Sequence, residues 1–350
     1  MSKKLRVAFL GCGYMGQNAH MVNYYELPEL CEIVAVADAK RGLADKVARH
    51  YDIPLVFERY EDMLAGAQFD AVVAAHSFSN HINIVPMVLE SKKPLFTEKP
   101  LSISYENAIK LADIADKYQV LHMVGYHKRS DPASEYAKGI VDEWLASGEY
   151  GKLRLVRVSM PPGDWVGGAP PVLTDSSPYP TFEAETAPPY FPGKLGEDYI
   201  SFVNYYIHQV NYLHFILGEN IHVEYAAPNG ALLAAKSDSG VCATIEMSAY
   251  ESGHGWYESA LIAFEHSYVA VDLPAPLAKQ RAGTVRVYRG KDRDAATFTE
   301  PELPNLHAMK KQAMNFIAAV KKERPAPCTS RQAVEDMRVA TEYIKLINRL

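Results

Sequence analysis

The chain has 350 residues, of which 48% are hydrophobic and 22% charged, and its formal net charge is −6. This length exceeds the size at which a single hydrophobic core usually stops growing, so we expect two domains, and the ordinary composition argues against extensive disorder. The negative net charge predicts no general attraction to nucleic acid or to anionic membranes. Because no secretory segment precedes the first predicted strand and no apolar run approaches the ~20 residues that span a bilayer, we expect a cytoplasmic protein.

Cysteine and histidine spacing predicts no metal site. The four cysteines are scattered without C-x-x-C spacing, which indicates reduced thiols in preference to disulfides or a zinc site. The twelve histidines form no H-E-x-x-H or H-x-H motif.

A glycine-rich turn, Gly-Cys-Gly-Tyr-Met-Gly at residues 11–16, lies between the apolar run 5–10 and a predicted helix over 15–26. In such a turn the first glycine permits a tight bend, the second lets the backbone approach phosphate, and the third brings helix against strand. The helix amides then face a pyrophosphate. Asp38 follows the second predicted strand, 32–37, where a carboxylate accepts hydrogen bonds from the adenosine ribose. This order predicts NAD(P) binding; the alternative is a turn with a packing role alone.

Helices and short apolar strands continue to alternate after Asp38, which is typical of a doubly wound parallel sheet of about six strands. The predicted helices cover residues 41–51, 82–91 and 105–117, and the predicted strands cover residues 70–75, 95–97 and 120–125. We therefore expect a nucleotide-binding domain over residues 1–127. The remainder, residues 128–350, forms a second domain whose C-terminal helices could pack back on the first.

The second domain is predicted to begin with a helix over residues 131–147 and a strand over 153–160. A proline-rich and aromatic stretch follows at 161–195, and loops of this length are usually functional or disordered. We expect a lid in which Trp165, Tyr179 or Tyr190 stacks on a sugar ring while Asp164 or Asp175 accepts from its hydroxyls. The alternative is an arm that packs on a neighbouring subunit.

The rest of the second domain reads as one helix over residues 199–217, then consecutive strands, then two helices. Consecutive strands without intervening helices predict a mostly antiparallel sheet. The strands are predicted at 223–227, 231–236, 241–250, 259–266, 268–271 and 285–288, and the last helices at 305–322 and 331–347.

The ordered set of motifs resembles the Gfo/Idh/MocA family of NAD(P)-dependent oxidoreductases over essentially the whole chain. The matching residues are the turn at 11–16, Asp38, Asn80 with His81, Glu98-Lys99-Pro100, Gly125-Tyr126 with Arg129 and Asp131-Pro132, and the pair Asn204 and His208. The resemblance implies an α/β protein, with an N-terminal Rossmann domain and a C-terminal α/β domain that has an open, mostly antiparallel sheet.

The resemblance also implies where ligands bind. The expected cofactor contacts are Gly11, Gly13, Tyr14, Met15, Gly16, Asp38, Ala75, Ser77, Asn80, His81, Glu98 and Lys99. The expected substrate contacts are Lys99, Tyr126, His127, Arg129, Trp165, Asn204 and His208. The stretch from His127 to Arg129 is equally consistent with a solvated basic turn.

The activity implied is an NAD-dependent dehydrogenase that oxidises a secondary hydroxyl of a sugar, glycoside or cyclic polyol to a ketone, or runs the reverse. Lys99 would polarise the hydroxyl and stabilise the developing alkoxide, and His208 would act as general acid/base. Alternatively, Lys99 is a surface lysine and His208 a half-buried structural histidine. Asn204 completes the expected catalytic set, but many family members carry Asp at this position, and an amide cannot stabilise an imidazolium as a carboxylate would. Glu197 or Asp198 could substitute for that carboxylate.

Two other functions remain open within the same resemblance. One is a glycoside-cleaving enzyme that oxidises transiently and then eliminates an aglycone, and the other is a nucleotide-sensing regulator without chemistry. We expect NAD in preference to NADP because Asp38 should repel a 2′-phosphate, although Lys40 and Arg41 could compensate. A free sheet face around residues 241–250 would expose apolar surface in a monomer, so we expect a homodimer or homotetramer.

Overall fold

A six-stranded parallel sheet organises the N-terminal part of the computed structural model, which describes residues 3–247 and 255–349. Its strands are β1 (Leu5–Leu10), β2 (Cys31–Ala37), β3 (Leu55–Phe57), β4 (Ala71–Ala74), β5 (Leu95–Thr97) and β6 (His122–Val124). The spatial order is β3-β2-β1-β4-β5-β6, and every neighbouring pair is parallel. The order reverses between β1 and β4, and the crevice outside the carboxyl ends at such a point is where ligands bind.

Helices connect these strands as the sequence pattern predicts. They are α1 (Val22–Tyr25), α2 (Arg41–His50), α3 (Tyr60–Gly66), α4 (His81–Glu90) and α5 (Tyr105–Tyr118). A π-helical turn, Gly16–Met21, runs directly into α1, so the helix predicted over residues 15–26 is not α-helical throughout. The prediction missed β3 and α3. The three residues of β3 are exposed or half-buried, so they form too short an apolar run to be recognised.

The first compact unit comprises Met1–Tyr126 together with two later segments, Ala169–Pro192 and Gln312–Met337. The helix α9 (Ala308–Val320) contributes Ala313, Phe316 and Ile317 to the hydrophobic core of this unit. The Phe316 ring is fully buried and meets Phe96 of β5 edge to face at a centroid distance of 5.8 Å.

The second compact unit, His127–Gly168, Gly193–Lys311 and Arg338–Leu350, contains a sheet of eight strands among the described residues. The order is β14-β13-β12-β11-β7-β10-β9-β8. All neighbours are antiparallel except β7 and β10, which run parallel. The strands are β7 (Leu153–Ser159), β8 (Ile221–Ala226), β9 (Leu232–Ser237), β10 (Cys242–Glu246), β11 (Ser259–Phe264), β12 (Ser267–Asp272), β13 (Thr284–Arg289) and β14 (Thr297–Thr299).

This second sheet confirms the predicted fold class, an α/β protein with a parallel sheet and a mostly antiparallel one. The strand predicted over residues 241–250 ends at Glu246, and the last residues of that prediction lie outside the described part of the chain. The prediction missed β14, a three-residue edge strand.

The helices of the second unit differ from the prediction at one place. α6 (Pro132–Ser147) agrees, but the single helix predicted over residues 199–217 is wrong: α7 (Lys194–Tyr205) and α8 (Ile207–Leu217) meet at Tyr206. The last helix, α10 (Ser330–Ile347), follows α9. In the described part of the chain, no helix has the length and apolar character needed to cross a membrane.

We expect Phe316→Ala to lower the free energy of unfolding by about 3–5 kcal/mol, because it leaves a cavity in the core of the first unit. Urea denaturation measures this change. Leu346→Ala, at a side chain that is 39% exposed, is the matched control and should cost far less. Equal effects of the two variants would contradict the placement of α9 in this core.

Asp131 begins α6 and provides a test of burial through pH. Its side chain is 2% exposed, and Oδ1 accepts hydrogen bonds from the backbone N–H groups of Ala133 (2.8 Å) and Gly283 (3.0 Å). Burial raises the pKa of this carboxyl from 3.8 to about 6, although these hydrogen bonds oppose the shift.

Because the folded state holds this proton more tightly than the unfolded state, Asp131 contributes stability below pH 3.8 that is lost as the pH rises to about 6. Asp131→Asn keeps the acceptor oxygen and removes the titration. We expect the free energy of unfolding of the variant, relative to that of the wild type, to rise by on the order of 2 kcal/mol from pH 4 to pH 7. Denaturation at both pH values measures this, and a difference independent of pH would refute it.

Candidate functional site

The turn after β1 has no room for side chains at two of its three glycines. Gly11 has a φ of +86°, and a Cβ there would lie 2.9 Å from the Ala75 carbonyl oxygen. A Cβ at Gly16 would lie 2.8 Å from the Gly11 carbonyl oxygen. A Cβ at Gly13 would meet only the Tyr179 hydroxyl, at 4.0 Å. The turn therefore packs tightly against β4 and the following helix while its backbone at Gly13 stays open to a close approach.

Asp38 lies at the carboxyl end of β2, beside this turn. Its carboxylate is 2% exposed and accepts hydrogen bonds from the backbone N–H groups of Cys12 and Lys40, both at 2.9 Å. The two backbone donors fix the carboxylate in place at the mouth of the turn. Together with the open backbone at Gly13, this arrangement fits the ribose and pyrophosphate of a dinucleotide.

The cations near Asp38 already have partners. Lys40 Nζ donates to the carbonyl oxygen of Asp175 at 3.1 Å and lies 4.3 Å from the centroid of the Tyr179 ring. Arg41 pairs with Asp45 at 3.0 Å along α2.

Two residues near Asp38 were not anticipated from the sequence. Tyr60 stacks on His76 at a centroid distance of 5.9 Å, and burial, followed by the charge of Asp38, raises the pKa of Tyr60. Burial also lowers the pKa of His76 to about 4, so that it is neutral at physiological pH. Nothing in the local sequence distinguishes these side chains from ordinary loop residues.

Glu98 and Lys99 follow β5 at the same edge of the parallel sheet. Both Glu98 oxygens are engaged within the protein: Oε1 hydrogen-bonds His20 Nε2 at 2.6 Å, and Oε2 accepts from the Lys99 backbone N–H at 3.2 Å. Burial alone would raise the pKa of Glu98, but the hydrogen bond and charge of His20 and the charge of Lys99 outweigh it and lower this pKa. Glu98 therefore positions the loop that carries Lys99, and the Lys99-Pro100 peptide bond is cis.

The remaining predicted cofactor contacts show mixed surroundings. Ser77 is exposed and its hydroxyl lies 2.8 Å from that of Ser79, while Asn80 accepts from Asn83 at 2.8 Å. His81 is fully buried and its Nδ1 lies 3.1 Å from the Leu101 carbonyl oxygen. Three more lie at the same edge, with Ala75 buried, Tyr14 exposed and Met15 partly buried, and the predicted substrate contact Tyr126, which follows β6, is buried.

In the second unit, the structure brings two predicted substrate residues together. The rings of His127 and His208 meet edge to face at a centroid distance of 4.9 Å. His208 lies in the first turn of α8 and is half-buried, whereas Asn204 lies at the end of α7 and is exposed. The break at Tyr206 thus separates the pair that the sequence places on one helix.

The turn from His127 to Arg129 is buried, so the alternative of a solvated basic turn is wrong. Arg129 Nε donates to Asn211 Oδ1 at 2.6 Å. Lys128 Nζ lies 2.5 Å from Glu258 Oε2, and both side chains are almost fully buried. Gln209 also donates to Glu258, at 2.7 Å. The sequence gives no hint of this pair because its members are 130 residues apart.

The long loop divides between the two units. Trp165 belongs to the second unit, where its side chain is 37% exposed and its carbonyl oxygen accepts from the Leu277 N–H at 3.3 Å. The segment Ala169–Pro192 belongs to the first unit, where Asp175 and Tyr179 lie beside Lys40. Among the residues that the structure describes, no group of three or more His, Cys, Asp or Glu side chains could hold a metal ion.

Comparison with known proteins finds a family match in the N-terminal part of the first unit. Residues 5–126 match the family described as an oxidoreductase family with an NAD-binding Rossmann fold, GFO_IDH_MocA. The chain is 32% identical over 152 residues to scyllo-inositol 2-dehydrogenase (NAD(+)) of Bacillus subtilis (strain 168), and the aligned residues cover 43% of each protein. It is 30% identical over 158 residues to inositol 2-dehydrogenase of Corynebacterium glutamicum (strain R), which covers 45% of each. These matches span less than half the length of the curated relatives.

Solved structures resemble the chain over nearly its whole length. One is apo scyllo-inositol dehydrogenase from Lactobacillus casei, with a TM-score of 0.70, 15% identity and coverage of 99% of this chain and 97% of that one. Another is an oxidoreductase from Agrobacterium radiobacter in complex with NAD⁺, L-tartaric acid and magnesium, with a TM-score of 0.68, 15% identity and coverage of 97% and 95%. At these identities the likeness shows the fold alone. The family match confirms the predicted resemblance over residues 5–126, which match the NAD-binding Rossmann fold of the Gfo/Idh/MocA oxidoreductase family.

Proposed function

We propose that this protein is an NAD-dependent dehydrogenase that oxidises a secondary hydroxyl of a sugar, glycoside or cyclic polyol to a ketone, or runs the reverse reaction. The observation that carries the proposal is the carboxyl edge of the parallel sheet in the first unit. There the open backbone at Gly13 and the fixed carboxylate of Asp38 suit a dinucleotide, and Lys99 follows the neighbouring strand β5. The inositol dehydrogenases among the relatives support a polyol or carbohydrate substrate.

Lys99 is proposed to donate a hydrogen bond to the oxygen of the reacting hydroxyl. A carbinol carbon gives up hydride readily only as its oxygen loses a proton, so a fixed cation beside that oxygen stabilises the developing alkoxide. Bound NAD would supply the hydride acceptor. The Glu98–His20 pair supports this role, because Glu98 Oε2 accepts from the backbone N–H of Lys99 while His20 holds Glu98 Oε1.

His208 is proposed to take the hydroxyl proton, with Asn204 as a substrate contact. Its half-buried position in α8 and the neighbouring His127 ring support the assignment. Asn204 lies on α7 and its side chain carries no charge, so this position supplies no carboxylate to stabilise a protonated His208. Tyr126, His127, Arg129 and Trp165 remain proposed substrate contacts.

The direct test is a panel of sugars, glycosides and inositols with NAD, followed by the absorbance of NADH. NADH formed in proportion to a ketone supports the dehydrogenase. Release of an aglycone without net NADH would favour the glycoside-cleaving alternative, and NAD binding without turnover of any member would favour a regulator.

We expect Lys99→Met to lower turnover by about 10²-fold or more while the dissociation constant of NAD stays nearly unchanged, because the lysine acts on the transition state. His208→Asn should lower kcat by about 10²- to 10⁴-fold, the usual range for general-base catalysis. Steady-state kinetics and calorimetric titration of NAD measure both. Lys117→Met, at an exposed lysine of the same unit, is the control, and a His208 variant with near-normal kcat would place the base elsewhere.

The negative charge of Asp38 should repel the 2′-phosphate of NADP and so favour NAD. Lys40, the cation that could compensate for this repulsion, already contacts Asp175 and Tyr179. We expect kcat/KM to be higher with NAD than with NADP, and Asp38→Ser to reduce this preference. The ratio of kcat/KM for the two cofactors checks this expectation. Equal or better kcat/KM of the wild type with NADP would be the contrary result.

The protein is proposed to be a homodimer or homotetramer that pairs the sheets of the second unit. An aromatic cluster on the last strands supports this, with Tyr288 lying 5.2 Å from Tyr268 and 4.9 Å from Phe298 between ring centroids. Phe298 is 64% exposed. We expect light scattering to give two or four times the chain mass of 38.9 kDa. Phe298→Asp should lower the measured mass. Leu55→Asp, on the first unit, is the control, and a wild-type mass near 39 kDa would refute the assembly.

A further inference from the structure

The segment Ala169–Pro192 contacts the corner of the first unit where β2 ends and α2 begins. Lys40 Nζ donates to the Asp175 carbonyl oxygen at 3.1 Å, and Lys46 Nζ donates to the Thr174 carbonyl oxygen at 2.8 Å. The Asp175 carboxylate also pairs with Lys46, at 3.4 Å between Oδ2 and Nζ. Two cations of this corner are therefore held by two consecutive residues of the segment.

The Asp175 carboxylate lies directly against the first turn of α2. A Cβ built on Gly42 would lie 2.8 Å from Oδ2, so the carboxylate occupies space that a larger residue of α2 would fill. Its Oδ1 accepts hydrogen bonds from the hydroxyl of Ser177 and, at 3.0 Å, from the Ser177 backbone N–H. These hydrogen bonds lower the pKa of Asp175 to about 2, so the group is negatively charged at physiological pH.

The segment is attached on both sides of Asp175, which gives its carboxylate a defined position. Before it, the Gln17 side chain donates to the Leu173 carbonyl oxygen at 3.0 Å and accepts from the Leu173 N–H at 2.9 Å. After it, the buried carboxylate of Glu185 accepts from the backbone N–H of Ile103 at 2.9 Å. A buried carboxylate bound by backbone donors is a strong attachment, so the charge of Asp175 stays at this corner.

This corner is where NAD and NADP differ. NADP carries a phosphate on the ribose hydroxyl that the carboxylate after the second strand binds in NAD, and a nearby cation accommodates that phosphate in sites that accept NADP. Lys40, two residues after Asp38, is the nearby cation here, and it is held between the Asp175 carbonyl oxygen and the Tyr179 ring. The corner thus meets a 2′-phosphate with a second carboxylate beside cations that already have partners.

We propose that Asp175 is a second determinant of cofactor choice, in addition to Asp38, and that its carboxylate disfavours NADP by repelling the 2′-phosphate. The ion pair with Lys46 does not change the sign of this effect, because without the charge of Asp175 the full charge of Lys46 would attract the phosphate. NAD has no phosphate at this position, so its affinity is nearly independent of Asp175. The proposal rests on the assignment of NAD to this edge in the proposed function.

The test compares the dissociation constants of NADP and NAD for the full chain, measured by calorimetric titration. Asp175→Asn removes the charge but keeps the size of the side chain and the backbone carbonyl that holds Lys40. We expect it to bind NADP about threefold to tenfold more tightly, the effect of one nearby like charge at a partly exposed site, and to change the dissociation constant of NAD by less than about twofold.

Glu183→Gln is the matched control, because it removes an equal charge from the same segment at an exposed residue. There the segment meets α4 in place of α2, since the Glu183 carbonyl oxygen accepts from Asn83 at 3.0 Å. The control should leave both dissociation constants unchanged. Because salt screens exposed charges, the gain of Asp175→Asn for NADP should also shrink between about 0.05 M and about 0.5 M salt, whereas a merely loosened segment would alter the affinity for both cofactors.

Three results would overturn the role of Asp175. If the wild type binds NAD and Asp175→Asn binds NADP no more tightly than the wild type does, or tightens both cofactors by the same factor, the proposal is wrong and the proposed function still stands. An equal gain for NADP in Glu183→Gln would also refute it, because net charge alone would then explain the effect. If neither the wild type nor any variant binds either dinucleotide, the cofactor assignment fails and the role of Asp175 fails with it.

Discussion

The close backbone approach at the end of β1 is the constraint on which the rest of the first unit depends. Gly11 and Gly16 lie where a Cβ would come within 2.9 Å and 2.8 Å of a carbonyl oxygen, and the Ala75 N–H donates to Leu10 at 2.8 Å. Glycine at both positions lets the helix, β1 and β4 meet at the point where the strand order reverses. That meeting creates the crevice beside Asp38, and any larger residue would force the three elements apart.

Buried ionic and polar pairs then fix the loops around the two candidate sites. The Glu98–His20 pair holds the loop of Lys99 in the first unit, and the Lys128–Glu258 pair holds the turn beside His127 in the second. A buried charge is tolerated only with a partner, so each pair ties a loop residue to a distant element. The chemistry proposed for Lys99 and His208 thus also depends on the side chains that hold these loops.

Local patterns predicted what is local in the structure. The turn at residues 11–16, Asp38 and the strands β1 and β5 follow from apolar runs and glycine spacing. Long-range contacts could not be predicted: Lys40 donates to the Asp175 carbonyl oxygen across 135 positions of sequence, a separation that no periodicity encodes. The break at Tyr206 was missed because the apolar stripe of the predicted helix continues through it.

A crystal structure of the full chain with NAD tests the central claim most directly, because the claim is that the carboxyl edge of the parallel sheet binds the dinucleotide. We predict the pyrophosphate against the backbone of Gly13 and a ribose hydroxyl on Asp38. NAD bound away from the glycine turn, or a protein that crystallises without NAD at saturating concentration, would contradict the account.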